Sequence, residues 1–394
     1  MQHMFSQFTN LRKYDSMRRL LFLALIAIAL ISCSKEVSDS QKNNFIKYFG
    51  GGAGSKGFFA HQTDHGYFAV GYNTLSGLKK QVYVVNTNLA GNTLWERSFG
   101  NETNEEARVL RILNSNLLVL GTSQNDLTGT ISSFLLAVGT NGDSLSTIAI
   151  GDGSFSVIVN DFVEANNELY LAGESYQNSS VEPDYFVAKY SVTGEKVWER
   201  VFDYNGVQRF SKIFIKPNGN LILCGTNNAV IGSNVTHVAV AELSNQGLPI
   251  RFYNAESTSN QDLSFAYLMG NSLFFSYNQQ STNKAYLAKI DLNSYSMEWI
   301  LESGIAMESN SFVVSTNGMV TLCGEINGGL AISQISANGE IVNLLGNTSV
   351  FDGNAEMILS TSDNGFLVVG STAPDYGAMM QLIKMDSELF LFKP

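Results

Sequence analysis

The sequence is poor in cysteine, proline, histidine and positive charge, and each shortage excludes something. Three Cys in 394 residues cannot build a dense disulfide framework. Four His and no Cys/His cluster at zinc-ligand spacing leave no metal-binding signature. Lys and Arg total 24 against 35 Asp and Glu, a formal charge of −11. Affinity for a polyphosphate backbone comes mainly from Lys and Arg, so a nucleic-acid partner is excluded. Long amphipathic helical patterns are missing, and so is the Gly period of collagen. A 44% hydrophobic share is too high for a disordered chain. What the chain does have is 35 Gly, abundant Ser, Thr and Asn, and many short apolar runs. That composition predicts short strands joined by polar turns.

One apolar run differs from the rest. Leu20 to Ile31 is unbroken, follows Arg18 and Arg19, and ends at Ser32-Cys33. It falls well short of the roughly 20 residues that a membrane-spanning helix needs, and it fits the apolar centre of a secretory signal. Leu30-Ile31-Ser32-Cys33 resembles the lipobox of bacterial lipoproteins. That resemblance implies that residues 1–32 are a signal peptide and that Cys33 is acylated as the first residue of the mature chain. Acyl chains contributing ~0.8 kcal/mol per buried CH2 would then hold the protein at a membrane. Met17 begins a compact signal, so residues 1–16 are open to being untranslated; an ordinary signal peptide is the alternative. Loss of residues 1–32 removes four basic groups and one acidic group and takes the charge to −14. Residues 33–44 read as a polar tether. Ser34 is not the Asp that retains some lipoproteins at the inner membrane, so the resemblance implies an outer-membrane position in the cell envelope.

The remainder, 45–394, is one unit repeated seven times. A short apolar strand ending in Gly recurs: Tyr67 to Gly71, Leu117 to Gly121, Leu169 to Gly173, Leu221 to Gly225, Val320 to Gly324 and Phe366 to Gly370. Leu273 to Ser276 fills the gap, with Ser276 expected at the Gly position. The period is about 50 residues, in the range of propeller blades. Each unit reads as four strands, a to d, with Asn, Asp and Gly in the hairpin turns. A second turn carries Gly91, Gly142, Gly194, Gly247 or Gly339, and strand d is clearest around Trp95 and Trp198. The expected fold is therefore all-β, a seven-bladed propeller of four-stranded blades. The last unit stops after its strand c, and Phe45 to Gly50 (FIKYFG) matches the strand d pattern Trp95 to Gly100 (WERSFG). The N-terminal strand is expected to complete the last blade and close the ring, removing exposed edges. Leu389 to Phe392 is the alternative fourth strand.

The pattern of Asn-Gly before an apolar strand, then Tyr185 to Tyr190 (YFVAKY), then Thr193 to Trp198 (TGEKVW) resembles bacterial repeat β-propellers of secreted and surface proteins, including the quinoprotein-type repeat. There Gly and Trp dock one blade on the next. The lipoprotein subunit of the outer-membrane protein assembly machinery is similar in length. Against that family, the connections between strands b and c are long here, as in 175–184, and the Trp is kept only at Trp95, Trp198 and Trp299.

Candidate chemistry is sparse. Residues 52–57 fit G-x-G-x-x-G, but a strand-like segment follows where a dinucleotide site needs a helix. Cys224 and Cys323 occupy the same repeat position and are expected in the core, two blades apart. His61 and His65 bracket Asp64 in a strand and its turn. The best ligand candidates are Arg108, Arg111, Asp161, Glu164, Lys212 and Lys216, charged residues expected on the innermost strands of three consecutive blades. They either converge on a ligand in the central channel or pair with one another. No cofactor is implied. The function expected is a membrane-anchored, monomeric binding or scaffold module for a protein or surface glycan. A glycan hydrolase or lyase at the channel mouth is one alternative, though no carboxylate pair stands out; an outer-membrane assembly subunit is another. Replacing Cys33 by Ala is expected to release the protein from the membrane fraction, and retention there would overturn the anchor.

Overall fold

The computed structural model describes residues 44–391, apart from 52, 75–78, 101–102, 152, 178–181, 205, 229–234, 256, 304–305, 337, 347–352 and 373–376. The expected signal, Cys33 and residues 34–43 lie outside the described residues. Among the described residues there are strands and no helix, in seven antiparallel four-stranded sheets. Blade 1 is β2 (Ser55–Thr63), β3 (Gly66–Thr74), β4 (Lys80–Asn88) and β5 (Thr93–Phe99), and blade 2 is β6 (Asn104–Leu113), β7 (Asn116–Gln124), β8 (Ile131–Val138) and β9 (Ser144–Ile150). Blade 3 is β10 (Ser156–Ala165), β11 (Glu168–Tyr176), β12 (Asp184–Ser191) and β13 (Lys196–Phe202), and blade 4 is β14 (Gln208–Ile215), β15 (Leu221–Asn227), β16 (His237–Leu243) and β17 (Pro249–Asn254). Blade 5 is β18 (Gln261–Met269), β19 (Ser272–Gln279), β20 (Lys284–Asp291) and β21 (Ser296–Glu302), and blade 6 is β22 (Glu308–Val314), β23 (Val320–Ile326), β24 (Gly329–Ile335) and β25 (Ile341–Gly346). Blade 7 joins β26 (Asn354–Ser360), β27 (Phe366–Ser371) and β28 (Met380–Met385) to β1 (Phe45–Phe49) from the other end of the chain. Successive innermost strands touch all the way round, with β26 meeting β2.

Burial explains the apolar runs. Strand b of each blade is covered on both faces by neighbouring blades, so it reads as continuous apolar sequence rather than alternation. In β7, Leu117, Val119 and Leu120 have no exposed surface. The core is not a single centre but lies between blades: Ile222, Val238 and Val240 of blade 4 pack with Leu273, Phe275 and Ala288 of blade 5. Cys224 belongs to that layer and Cys323 to the layer between blades 6 and 7; both are free, and burial pushes both thiols well above the ordinary range.

The innermost strands share a device that the sequence pattern did not reveal. Each contains a β-bulge, and the extra residues are Phe58, Arg108, Asn160, Ser211, Ser264, Asn310 and Glu356. The bulge throws the carbonyl two residues earlier against strand b. A Cβ on Gly71, Gly225 or Gly324 would stand 1.8 Å from such a carbonyl, which is why the apolar strand ends in Gly. Blade 5 corrects one expectation. Leu263 before its bulge pairs with Tyr277, and Ser276 pairs with Phe265. Tyr277, not Ser276, therefore holds the Gly position; Ser276 takes the core place that Cys224 and Ala172 hold elsewhere. Counting apolar residues could not place a register set by hydrogen bonds across a bulge.

Ring closure follows the expected route. β1 pairs antiparallel with β28, Phe45 opposite Lys384 and Phe49 opposite Met380. Residues 386–390 form a c–d turn, with Leu389 at φ 66° in the place that five other blades give to Gly and blade 5 gives to Tyr295. This turn lies beside the start of β1: Asn44 donates to the Phe390 carbonyl at 3.0 Å. Outer strands dock on the next blade's c–d turn. A Cβ on Gly91 would meet the Phe45 ring at 2.7 Å, and one on Gly247 the Trp198 ring at 2.8 Å. Trp95 packs on Gly142 in the same way, and its indole N–H donates to the Thr140 carbonyl at 2.8 Å. Phe45 thus links blade 7 to blade 1. Phe45→Ala is expected to cost about 3–5 kcal/mol, read as a fall in denaturation midpoint; an unchanged midpoint would count against closure by β1.

Candidate functional site

The innermost strands bring four of the six charged candidates to the channel wall. Arg108 and Arg111 lie on β6, Asp161 on β10 and Lys212 on β14. Asp161 is 1% exposed and stands at the residue after the bulge, where the other blades carry Phe59, Val109, Phe265, Ser311 and Met357. Lys212 holds that position in the next blade. The Arg111 guanidinium donates to Asp161 Oδ1 at 2.9 Å, and the Lys212 ammonium stands 3.9 Å from Oδ2. The Asp161 carboxylate also accepts the Ile213 amide at 3.4 Å. Arg111 lies over the rings of Phe59 and Phe162, and Lys212 over Phe265. One buried carboxylate therefore joins blades 2, 3 and 4, and the two cations reach on to blades 1 and 5. Burial pulls the Lys212 ammonium below its ordinary value, Asp161 opposing and Arg111 assisting. Such pairs form because a buried charge without a partner is far costlier than a paired one.

Arg108 belongs to a second group, nearer the mouth bearing the b–c loops. It contacts Glu106 at 3.3 Å and Asn160 at 3.4 Å, and Asn160 donates to the Phe210 carbonyl. Arg209 pairs with Glu174 at 2.6 Å. Burial raises the Glu174 carboxyl above its ordinary value, while Arg209 and Arg108 oppose it. The other side of this mouth is acidic. Lys56 pairs with Glu356 at 2.5 Å, and Glu325 is pushed up by burial and by the nearby charges of Glu356 and Glu308. The mouth is thus balanced in charge at blades 2–4, where Arg108 and Arg209 face Glu106 and Glu174, and acidic at blades 6–7.

The two remaining candidates do not converge on the channel. Lys216 lies one residue past β14, in the a–b turn; its ammonium is 3.4 Å from Glu242 of strand c in the same blade, and Asn220 and Tyr295 also donate to that carboxylate. Glu164 is exposed, and its carboxylate accepts the Asn167 amide in the turn that follows. Lys216 falls just past the end of its strand, whereas Glu164 lies within β10 as expected and is engaged by the turn that follows.

The motifs set aside on sequence grounds find ordinary structural places. Residues 55–63 are β2, so no helix follows Gly54. His61 borders a cavity of about 390 Å³ at the junction of blades 7 and 1, with Asp64 and Met357. Burial, with Arg111 beside it, lowers the imidazole pKa. Among the described residues no group of three or more His, Cys, Asp or Glu is placed to hold a metal ion. The cavities between blades were missing from the sequence reading, because they arise where sheets splay and no short motif marks them.

Comparison with known proteins adds the architecture. No family model matches the sequence, and no curated protein does. Solved structures do. A puromycin hydrolase mutant superposes with a TM-score of 0.55 at 12% identity, over 84% of this chain and 52% of that one. The chain thus spans about half the length of that hydrolase. Drosophila Plexin A, solved in complex with Semaphorin 1b, gives 0.52 at 10% identity over 87% and 88%. Sqt1 from Chaetomium thermophilum gives 0.51 at 11% over 87% and 99%. At these identities the likeness is one of fold: the chain is a seven-bladed β-propeller.

The buried carboxylate yields a prediction. Asp161→Ala would leave two cations without a partner. It is expected to cost about 3 kcal/mol, the low end for a broken buried pair because Arg111 is a third exposed. Making Arg111, Asp161 and Lys212 apolar together should recover most of the loss in a denaturant titration. No recovery would show that the charges do more than compensate one another.

Proposed function

We propose that the protein is a non-catalytic binding or scaffold module of the cell envelope, held at a membrane through acylated Cys33. One observation carries the reading. The a–b and c–d turns are short in every blade, while the b–c connections run from residues 327–328 in blade 6 to residues 228–236 in blade 4. A rigid ring whose longer and more variable connections, b–c and d–a, lie at one end suits recognition there. Asn44 enters beside Phe390, at the c–d turn end of blade 7. A tether at 33–44 would therefore join the face opposite the b–c loops and leave them turned toward a partner. The propellers it resembles include one solved with a protein partner and one in a hydrolase, so fold alone does not choose between binding and catalysis.

A catalytic alternative has one feature in its favour. Burial and the nearby charges of Glu356 and Glu308 raise the Glu325 carboxyl above its ordinary value, and a carboxyl raised in this way can serve as a general acid. Incubating the purified protein with a panel of surface glycans, followed by product analysis, separates the two. Retention without turnover is expected. Released product that disappears in Glu325→Gln would overturn the binding reading in favour of a hydrolase or lyase.

A further inference from the structure

The blade whose strand b departs from the repeat borders the largest of the inter-blade cavities described here. This cavity lies between blades 4 and 5, has a volume of about 870 Å³, and is walled by the end of β17, the connection into β18, the end of β19 and the outer strand β21. That size is within the range of small-ligand sites. The polar wall consists of amides and hydroxyls, with Asn254, Gln261, Gln279 and Tyr277 contributing. Met297 and the half-exposed Ile300 supply an apolar side. None of the described lining residues is charged, in a chain of formal charge −11. Tyr277 lies parallel to Tyr286, with ring centroids 5.3 Å apart, and its phenol, pushed up to about 12 by burial and Tyr286, stays protonated.

Behind this wall two buried side chains hold unused polar atoms. Asn227, 1% exposed, donates to Asn254 Oδ1 at 2.9 Å, and its own Oδ1 has no partner among the described residues. His237, 5% exposed, has Nδ1 3.1 Å from the Ala255 carbonyl, and its Nε2 has no partner among them either. Asn254 and Ala255 both wall the cavity. Neither side chain lines the cavity itself, so the lining residues alone define what it can bind.

We infer that this cavity binds a neutral oligosaccharide. The inference rests on the binding-module reading and names its ligand class. Sugar hydroxyls donate and accept at once, and so do side-chain amides. The C–H face of a pyranose needs an apolar surface such as Met297 and Ile300 provide. An uncharged wall gives an anionic or cationic ligand nothing to pair with.

The test is calorimetric titration of the purified full chain with neutral gluco-, manno- and xylo-oligosaccharides. At least one should bind, and Gln279→Ala and Ile300→Asp should each weaken it roughly tenfold or more with unchanged melting temperature. Leu94→Asp, on exposed surface of blade 1, should have no effect. Binding untouched by both cavity variants would overturn this site while leaving a glycan-binding module intact. Binding of peptides or charged glycans alone would overturn the ligand class. Failure to bind any glycan would overturn the inference together with the glycan arm of the proposed function.

Discussion

The pairing of β1 with β28 is the interaction on which the rest of the architecture depends. It joins residues from opposite ends of the chain, Phe45 to Lys384, so its loop-closure cost falls on nearly the whole sequence. In return the ring has no open blade. Each hydrophobic layer lies between two sheets, so a blade without both neighbours exposes a whole apolar face. Closure also buries Lys384 completely against Asp363, at 2.9 Å, and seats Phe45 on Gly91 of blade 1. A fourth strand taken from residues 389–392 would have kept blade 7 local in sequence. Leu389 instead lies in the turn, at a positive φ where five other blades use Gly.

A second constraint repeats in every blade. The bulge in each innermost strand accommodates the crowding of seven strands around one axis, and it fixes Gly in strand b in six of the seven blades. The residue after the bulge is apolar in blades 1, 2, 5 and 7 and is Ser311 in blade 6, so the Asp161 and Lys212 pair is the one charged stretch of an otherwise uncharged layer. Buried ion pairs gain little stability over well-packed apolar groups. What this one provides is connection, since Arg111, Asp161 and Lys212 together span blades 2 to 4, and their ring contacts extend to Phe59 and Phe265. The charges beside the channel are mostly engaged with one another, which moves attention outward to the b–c loops and the cavities between blades.

The sequence by itself determined the repeat, the seven blades, the four strands of each and the closing strand. These rest on local signals: apolar runs of strand length, turn residues that tolerate positive φ, and a spare strand d before the first unit where the last unit lacks one. It also placed Arg111, Asp161 and Lys212 on neighbouring inner strands. Only the tertiary structure decided the rest. Lys216 left the channel strand because a strand boundary is set by where pairing stops, and Glu164, though on β10, turned to the Asn167 amide of the following turn. Tyr277 displaced Ser276 because a bulge shifts register without changing composition. The cavity between blades 4 and 5 had no signature at all, since its walls come from four segments of two sheets. Periodicity is written along the chain, whereas a site between blades is defined by side chains that meet only when the ring is closed.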